Sequence, residues 1–181
     1  MYMFWAITTG ITVGASMHLL AVLGALFVIL FLIIGLASYV FLAEPFVIDK
    51  IYSQHTQLYG QSGEFPNKEI LSSFGELYSL NNDTVGYISI DGTNINYPVA
   101  HCAEQPDFYD THLFNGWFSL YGTPHTKTEI KDNKFYQNII IYGNNTQNGR
   151  MFSDLSGLAT LSGYRSSPLI KFDTIYGNGN Y

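Results

Sequence analysis

The first 43 residues carry no charge: the eight basic and fourteen acidic side chains of this 181-residue chain all lie from Glu44 onward. Within that stretch Leu19–Leu42 reads LLAVLGALFVILFLIIGLASYVFL, with Ser38 as its polar residue. About 20 apolar residues suffice for a helix to cross the hydrocarbon core, so this run is long enough to span it. A secretory signal would begin with a basic segment and carry an apolar run of roughly 7–15 residues, and neither is present. A helix buried in a soluble core would keep a polar stripe at the 3.6-residue period, and this one is apolar all round. The pattern therefore predicts a single transmembrane helix over 19–42. It is preceded by an apolar segment over 1–18 rich in Thr and Gly. Orientation is not set by charge: Lys50 is the one nearby cation, and it sits beside Glu44 and Asp49.

The remainder is an ordinary polar chain, large enough for one domain. A net charge of −6 and no basic run argue against a nucleic-acid partner. A lone cysteine excludes an internal disulfide and any multi-cysteine metal site, and no cofactor is expected. Residues 43–66, with Pro45 and Pro66, read as a stalk or irregular helix. Ile70, Leu71, Phe74, Leu77 and Tyr78 then fall on one helical face, with Asn67 as the N-cap and Asn81–Asp83 as the stop. Beyond them the period changes to two. Thr84–Ile90, an Asp91–Gly92 turn and Thr93–Val99 form a hairpin, with Pro98 marking an edge or a strand end. The run Asn138–Tyr142 (NIIIY) is expected as a central strand buried on both faces. A short helix over Met151–Leu161 and a strand over Leu169–Phe172 follow. The fold class this implies is mainly β, with short peripheral helices.

Four stretches, in order, resemble the class B sortases, the cell-wall transpeptidases of Gram-positive bacteria. They are NNDTVGYISIDGTNINYPV (81–99), DFYDTHLF (107–114), NIIIYGNNTQNGRMFSDL (138–155) and PLIKFDT (168–174). The resemblance covers about residues 67–181 and implies a partial sortase-like β-barrel there, held outside the cell by the N-terminal span. It also implies the chemistry. A cysteine thiolate attacks the carbonyl after Thr in a sorting signal, and an amine of the peptidoglycan precursor resolves the acyl-enzyme. A His carries the proton, and an Arg supports the oxyanion. The implied partners are the cell membrane, sorting-signal peptides and that precursor.

The chain departs from this pattern where the chemistry should be. The family His belongs in Tyr-Gly-x-Asn, and Asn144 stands there; an amide cannot exchange a proton near neutral pH. The family Cys and Arg lie on strands later than those matched up to Tyr181. The expectation is a truncated, inactive sortase relative with no intact catalytic residue, a pseudoenzyme. Two alternatives stay open: a membrane-anchored module that binds peptide without chemistry, and one piece of a split sortase gene. His125 and Lys127 fall where the family has an aromatic and an acid.

Other candidates are weaker. Cys102 adjoins His101, but neighbours on a strand point to opposite faces, so the thiol reads as a lone buried or half-buried cysteine. Asp107, Asp110, His112 and His125 match no ligand spacing, and no metal is expected. Phe108, Tyr109, Phe114, Trp117 and Phe118 read as core rather than as a peptide groove. The Asn82–Thr84 and Asn144–Thr146 triplets fit a glycosylation sequon by chance recurrence alone.

Overall fold

The computed structural model describes residues 2–61, 70–130, 138–166 and 169–181, with side chains placed from Met17 onward, Phe41 excepted. Internal contacts divide the chain into two units, Met1–Lys50 and Ile51–Tyr181. The first is helical. Helix α1 runs from Tyr2 to Ser38, a π-turn follows over Tyr39–Ala43, and α2 spans Glu44–Leu58. Met17–Ser38 is a 22-residue segment of mean hydropathy 3.2 with none of that stretch buried in the protein. By length and composition it can cross a membrane. Pro45 accounts for the π-turn: it has no N–H to close an ordinary turn, and Glu44 N–H reaches back five residues to the Tyr39 carbonyl. The helix is already formed well before Leu19, because Thr and Gly weaken a helix without ending it.

The second unit is built on an antiparallel sheet ordered β2-β1-β3. Strands β1 (Thr84–Ser89) and β2 (Asn96–Ala100) form the expected hairpin, with Ser89 opposite Asn96 and Tyr87 opposite Pro98. Its turn is closed by Thr93 N–H donating to the Ile90 carbonyl at 3.2 Å, with Gly92 at φ 80°. Positive φ at the third turn position is what glycine supplies there. Strand β3 (Lys171–Thr174) pairs with β1 on its other side. Its position explains Gly86, where a Cβ would lie 2.7 Å from the Phe172 ring and 2.6 Å from the Asp173 carbonyl oxygen.

Beyond β2 the sheet continues as single bridges, Ala100 parallel to His125 and His125 antiparallel to Tyr142. Pro98 thus sits on the outer strand of the regular sheet. Phe74, Leu77, Tyr87, Ala100, Tyr109, Phe114 and Ile175 make the core. Phe74 and Phe114 are fully enclosed, each contributing about 1.5–3 kcal/mol by burial. Tyr59 at the end of the second helix stacks on Tyr87, ring centres 4.2 Å apart, and its hydroxyl donates to Asp173 at 2.5 Å.

Several expectations need correction. More of the described residues lie in helices than in strands, so the mainly β class does not hold by residue count, and the regular strands among the described residues form a three-stranded antiparallel sheet. Residues 138–141 form no regular strand, and Ile140 is 52 % exposed. The run of three isoleucines alternates instead. Ile139 and Ile141 turn toward an apolar groove and Ile140 turns to solvent; among the described residues this run is bridged only at Tyr142, to His125. The last strand begins at Lys171 rather than Leu169. Its outer edge, expected open, is taken by residues 177–181 folding back, with Ile170 and Tyr181 exchanging two hydrogen bonds at 2.7 and 2.8 Å. The helix expected over 151–161 is two short pieces, α4 (Leu155–Leu158) and α5 (Leu161–Ser166). The helical face at 70–78 is realised as a 3-10 turn over Ser72–Phe74 running into α3 (Gly75–Leu80); its expected cap, Asn67, lies outside the described residues. Tyr52 and His55, assigned to a stalk, are buried at 5 % and 3 % exposure.

Candidate functional site

Asn144 lies two residues beyond Tyr142, which is bridged to His125. Tyr142 N–H donates to the His125 carbonyl at 2.7 Å, and His125 N–H returns the bond at 2.9 Å. Gly143 comes next, where a Cβ would lie 2.6 Å from the Phe152 ring, so only glycine lets that ring close against the backbone. The chain then turns back on itself. Asn145 bridges Met151, Thr146 Oγ1 donates to the Arg150 carbonyl at 2.8 Å, and Phe152 N–H donates to the Asn144 carbonyl at 3.0 Å. Met151 adopts φ 54°, unusual for a side chain with a Cβ, and is held there by burial and by its N–H on the Tyr97 hydroxyl at 3.2 Å.

The Asn144 side chain is half-buried, and its amide nitrogen faces three backbone carbonyls: Asp110 at 2.9 Å, Leu120 at 3.1 Å and Tyr121 at 3.2 Å. It ties the loop before Gly122 to the end of the Phe108–Asp110 turn. Gly122 itself sits at φ 62°, and a Cβ there would meet the Tyr109 and Asp110 carbonyl oxygens at 2.5 and 2.7 Å. From the other side Tyr52 of α2 donates its hydroxyl to the Gly122 carbonyl at 2.8 Å and lies 3.2 Å from Thr123 Oγ1. Burial raises the Tyr52 phenol well above its ordinary range, so it acts here as a fixed donor. Position 144 is thus a strut. An amide spent on three carbonyls moves no proton.

The other candidate residues separate into pairs. His125 is 1 % exposed; its Nδ1 is 3.0 Å from the Thr123 carbonyl, and its Nε2 lies 3.6 Å from Asp110 Oδ1 without a hydrogen bond among the described residues. Asp107 pairs with Lys127, which lowers the carboxyl and raises the ammonium, and the Lys127 nitrogen also stands 4.8 Å over the Tyr142 ring. His112 stacks on Phe108 at 4.0 Å and directs Nδ1 to the Phe108 carbonyl. The four residues weighed as metal ligands therefore do not converge, and no group of three candidate ligands exists among the described residues. Cys102 is half-buried, and His101 turns its Nδ1 to the Thr126 carbonyl at 2.8 Å. Of the aromatic cluster, Tyr109 and Phe114 are core, Phe108 packs against it, and Trp117 and Phe118 are exposed. Both sequon threonines are used internally, Thr84 on the Asn81 carbonyl and Thr146 on Arg150.

A separate apolar groove of about 410 Å³ opens between β1, β3 and the isoleucine run. Ile88, Ile90, Ile139, Ile141, Phe152 and Phe172 line it. Gly122, Tyr52 and His55 carry no sequence motif; the departure at His125 and Lys127 from the family's aromatic and acid is the signal nearest to them.

Comparison with known proteins shows what the chain is similar to. No family model matches the chain. Sortase B of Listeria monocytogenes is 32 % identical over 89 residues, covering 49 % of this chain and 36 % of that protein. Sortase B of Staphylococcus aureus is 30 % identical over 115 residues, covering 61 % and 45 %. The structure of sortase B from Bacillus anthracis in complex with AAEK1 superimposes at a TM-score of 0.68 with 22 % identity, over 76 % of this chain and 66 % of that one. This is a class B sortase-like protein. A Staphylococcus aureus sortase B–substrate complex agrees in fold, at a TM-score of 0.66 and 24 % identity over 76 % of this chain and 63 % of that one. The sortase-like chain spans less than half the length of the two relatives matched by sequence.

Proposed function

We propose that the protein is a membrane-anchored member of the sortase line that engages sorting-signal peptides but does not itself carry out transpeptidation. The organisation we assign is an apolar segment (1–18), a single span (19–42), a stalk (43–66) and a partial sortase-like domain (67–181) facing the outside of the cell. The apolar Met17–Ser38 helix supports the anchor. The observation that carries the loss of chemistry is Asn144. The proton carrier that the resemblance requires at this position is an amide, held on three carbonyls. Without a group to take the thiol proton and return one to the leaving amine, acyl transfer loses typically 10²–10⁴-fold from this term alone. His125 does not substitute for it, since its ring is sealed from solvent.

The apolar groove at Ile139 and Ile141 favours a binding role over a purely decayed remnant, because such a groove can take the alternate apolar side chains of an extended peptide. Titration of a fluorescent sorting-signal peptide into the full chain in lipid nanodiscs tests this reading. Saturable binding that an Ile139→Asp substitution weakens is expected. Binding no tighter than to a scrambled peptide would refute it.

A further inference from the structure

Residues 111–126 form the longest charge-free stretch of the chain after Glu44. In the middle of it a tight hairpin is closed by Leu113 N–H on the Trp117 carbonyl and Gly116 N–H on the Leu113 carbonyl, both at 2.8 Å. Gly116 adopts φ 82°, which turns the chain sharply. Leu113, Phe114 and Ser119 are buried and fix the base of the hairpin. Its outer residues are the reverse of what a water-facing loop needs: Trp117, Phe118 and Leu120 are 67 %, 70 % and 66 % exposed. Isolated surface hydrophobes are ordinary, but three on one uncharged, hydrogen-bonded tip form a contact surface.

We propose that this tip is a membrane-interface contact, which inserts Trp117, Phe118 and Leu120 into the headgroup region of a zwitterionic phospholipid bilayer. The inference rests on the membrane-anchored reading above. Tryptophan and phenylalanine flanked by polar but uncharged groups are the chemistry of that layer, where an amphipathic ring gains apolar contact while its N–H stays wet. The absence of cations across the hairpin favours zwitterionic over anionic lipid. Covalent linkage adds to this. The second unit is tethered in one chain to the apolar helix, so a bilayer holding that helix is always at high local concentration. A second copy of the chain or a soluble protein would use the same apolar residues but would not need the lipid.

The test uses the full chain carrying Trp5→Phe, which leaves Trp117 as its one tryptophan, reconstituted at low protein-to-lipid ratio in phosphatidylcholine liposomes. Flotation in alkaline carbonate reports the anchor, and quenching of Trp117 by acyl-brominated lipid reports the hairpin. Bromine quenching of Trp117, weak acrylamide quenching, and reversal of both by Phe118→Ser with Leu120→Ser are expected. Liposomes that float with Trp117 open to acrylamide and indifferent to bromine would overturn the proposal while leaving the anchor intact. Shielding of Trp117 that appears only at high protein-to-lipid ratio, without bromine quenching, would overturn it in favour of a second copy. Should the chain fail to float, the anchored reading fails, and the response of Trp117 to added brominated vesicles decides the hairpin by itself.

Discussion

His55 makes the stability of the second unit depend on pH, and the size of the effect follows from its surroundings. The ring is 3 % exposed, stands edge-on to Tyr52 at 5.4 Å and to Phe114 at 5.0 Å, and its Nδ1 has no hydrogen-bond partner among the described residues. Burial lowers its pKa from 6.5 to about 4, because the imidazolium would be cut off from water. Above pH 6.5 both folded and unfolded chains hold it neutral, and its contribution is constant. As pH falls from 6.5 to about 4 the unfolded chain takes up a proton that the folded chain refuses, so stability is lost over that window. A difference of this size corresponds to about 3 kcal/mol, a large part of a typical total of about 5–15 kcal/mol. His55→Leu removes the titrating group and the orphaned nitrogen while keeping the site apolar. The assay is urea unfolding of the full chain in nanodiscs, followed by near-ultraviolet circular dichroism at pH 7.5, 6.0 and 4.5. The stability of His55→Leu relative to the parent should rise by about 2–3 kcal/mol across that range, the change common to all other groups cancelling in the difference. A difference that stays flat with pH would refute the argument that the ring is buried neutral.

Three further outcomes follow from close contacts. Gly122→Ala should cost about 2–4 kcal/mol in the same unfolding assay, since the new Cβ meets two carbonyl oxygens at a φ that alanine resists. Asn144→Ala should cost about 1–3 kcal/mol and speed hydrogen exchange in the loop around residues 119–123, because three carbonyls lose one shared donor. Tyr59→Phe should lose about 1 kcal/mol, the value of a hydroxyl on Asp173, while keeping the stack on Tyr87, whose own phenol burial pushes up to about 12.

What was legible in the sequence was what depends on near neighbours. The hairpin over 84–99 reads directly from its two-residue alternation and its Asp91–Gly92 turn, and the apolar helix reads from hydropathy alone. The isoleucine run misled because continuous apolarity is taken to mean two buried faces. Here Ile140 faces water, and its neighbours line a groove. The N-terminal helix began earlier than expected because nothing in Met1–Ser16 actively stops one. The site was visible only through the family pattern: Asn144 is unremarkable until a proton carrier is expected there. His55, Gly122 and Met151 depend on contacts between segments far apart in sequence, such as α2 against the Gly122 turn, and no local signal announces them.

The most direct test of the central claim is turnover. The full chain, reconstituted in liposomes, is incubated with a quenched fluorescent sorting-signal peptide and an oligoglycine amine, and the products are resolved by mass spectrometry. The account predicts that only intact peptide is recovered, both for the parent chain and for Asn144→Ala. A fragment ending at the threonine, or its amide with the added amine, formed by the parent chain, would contradict it.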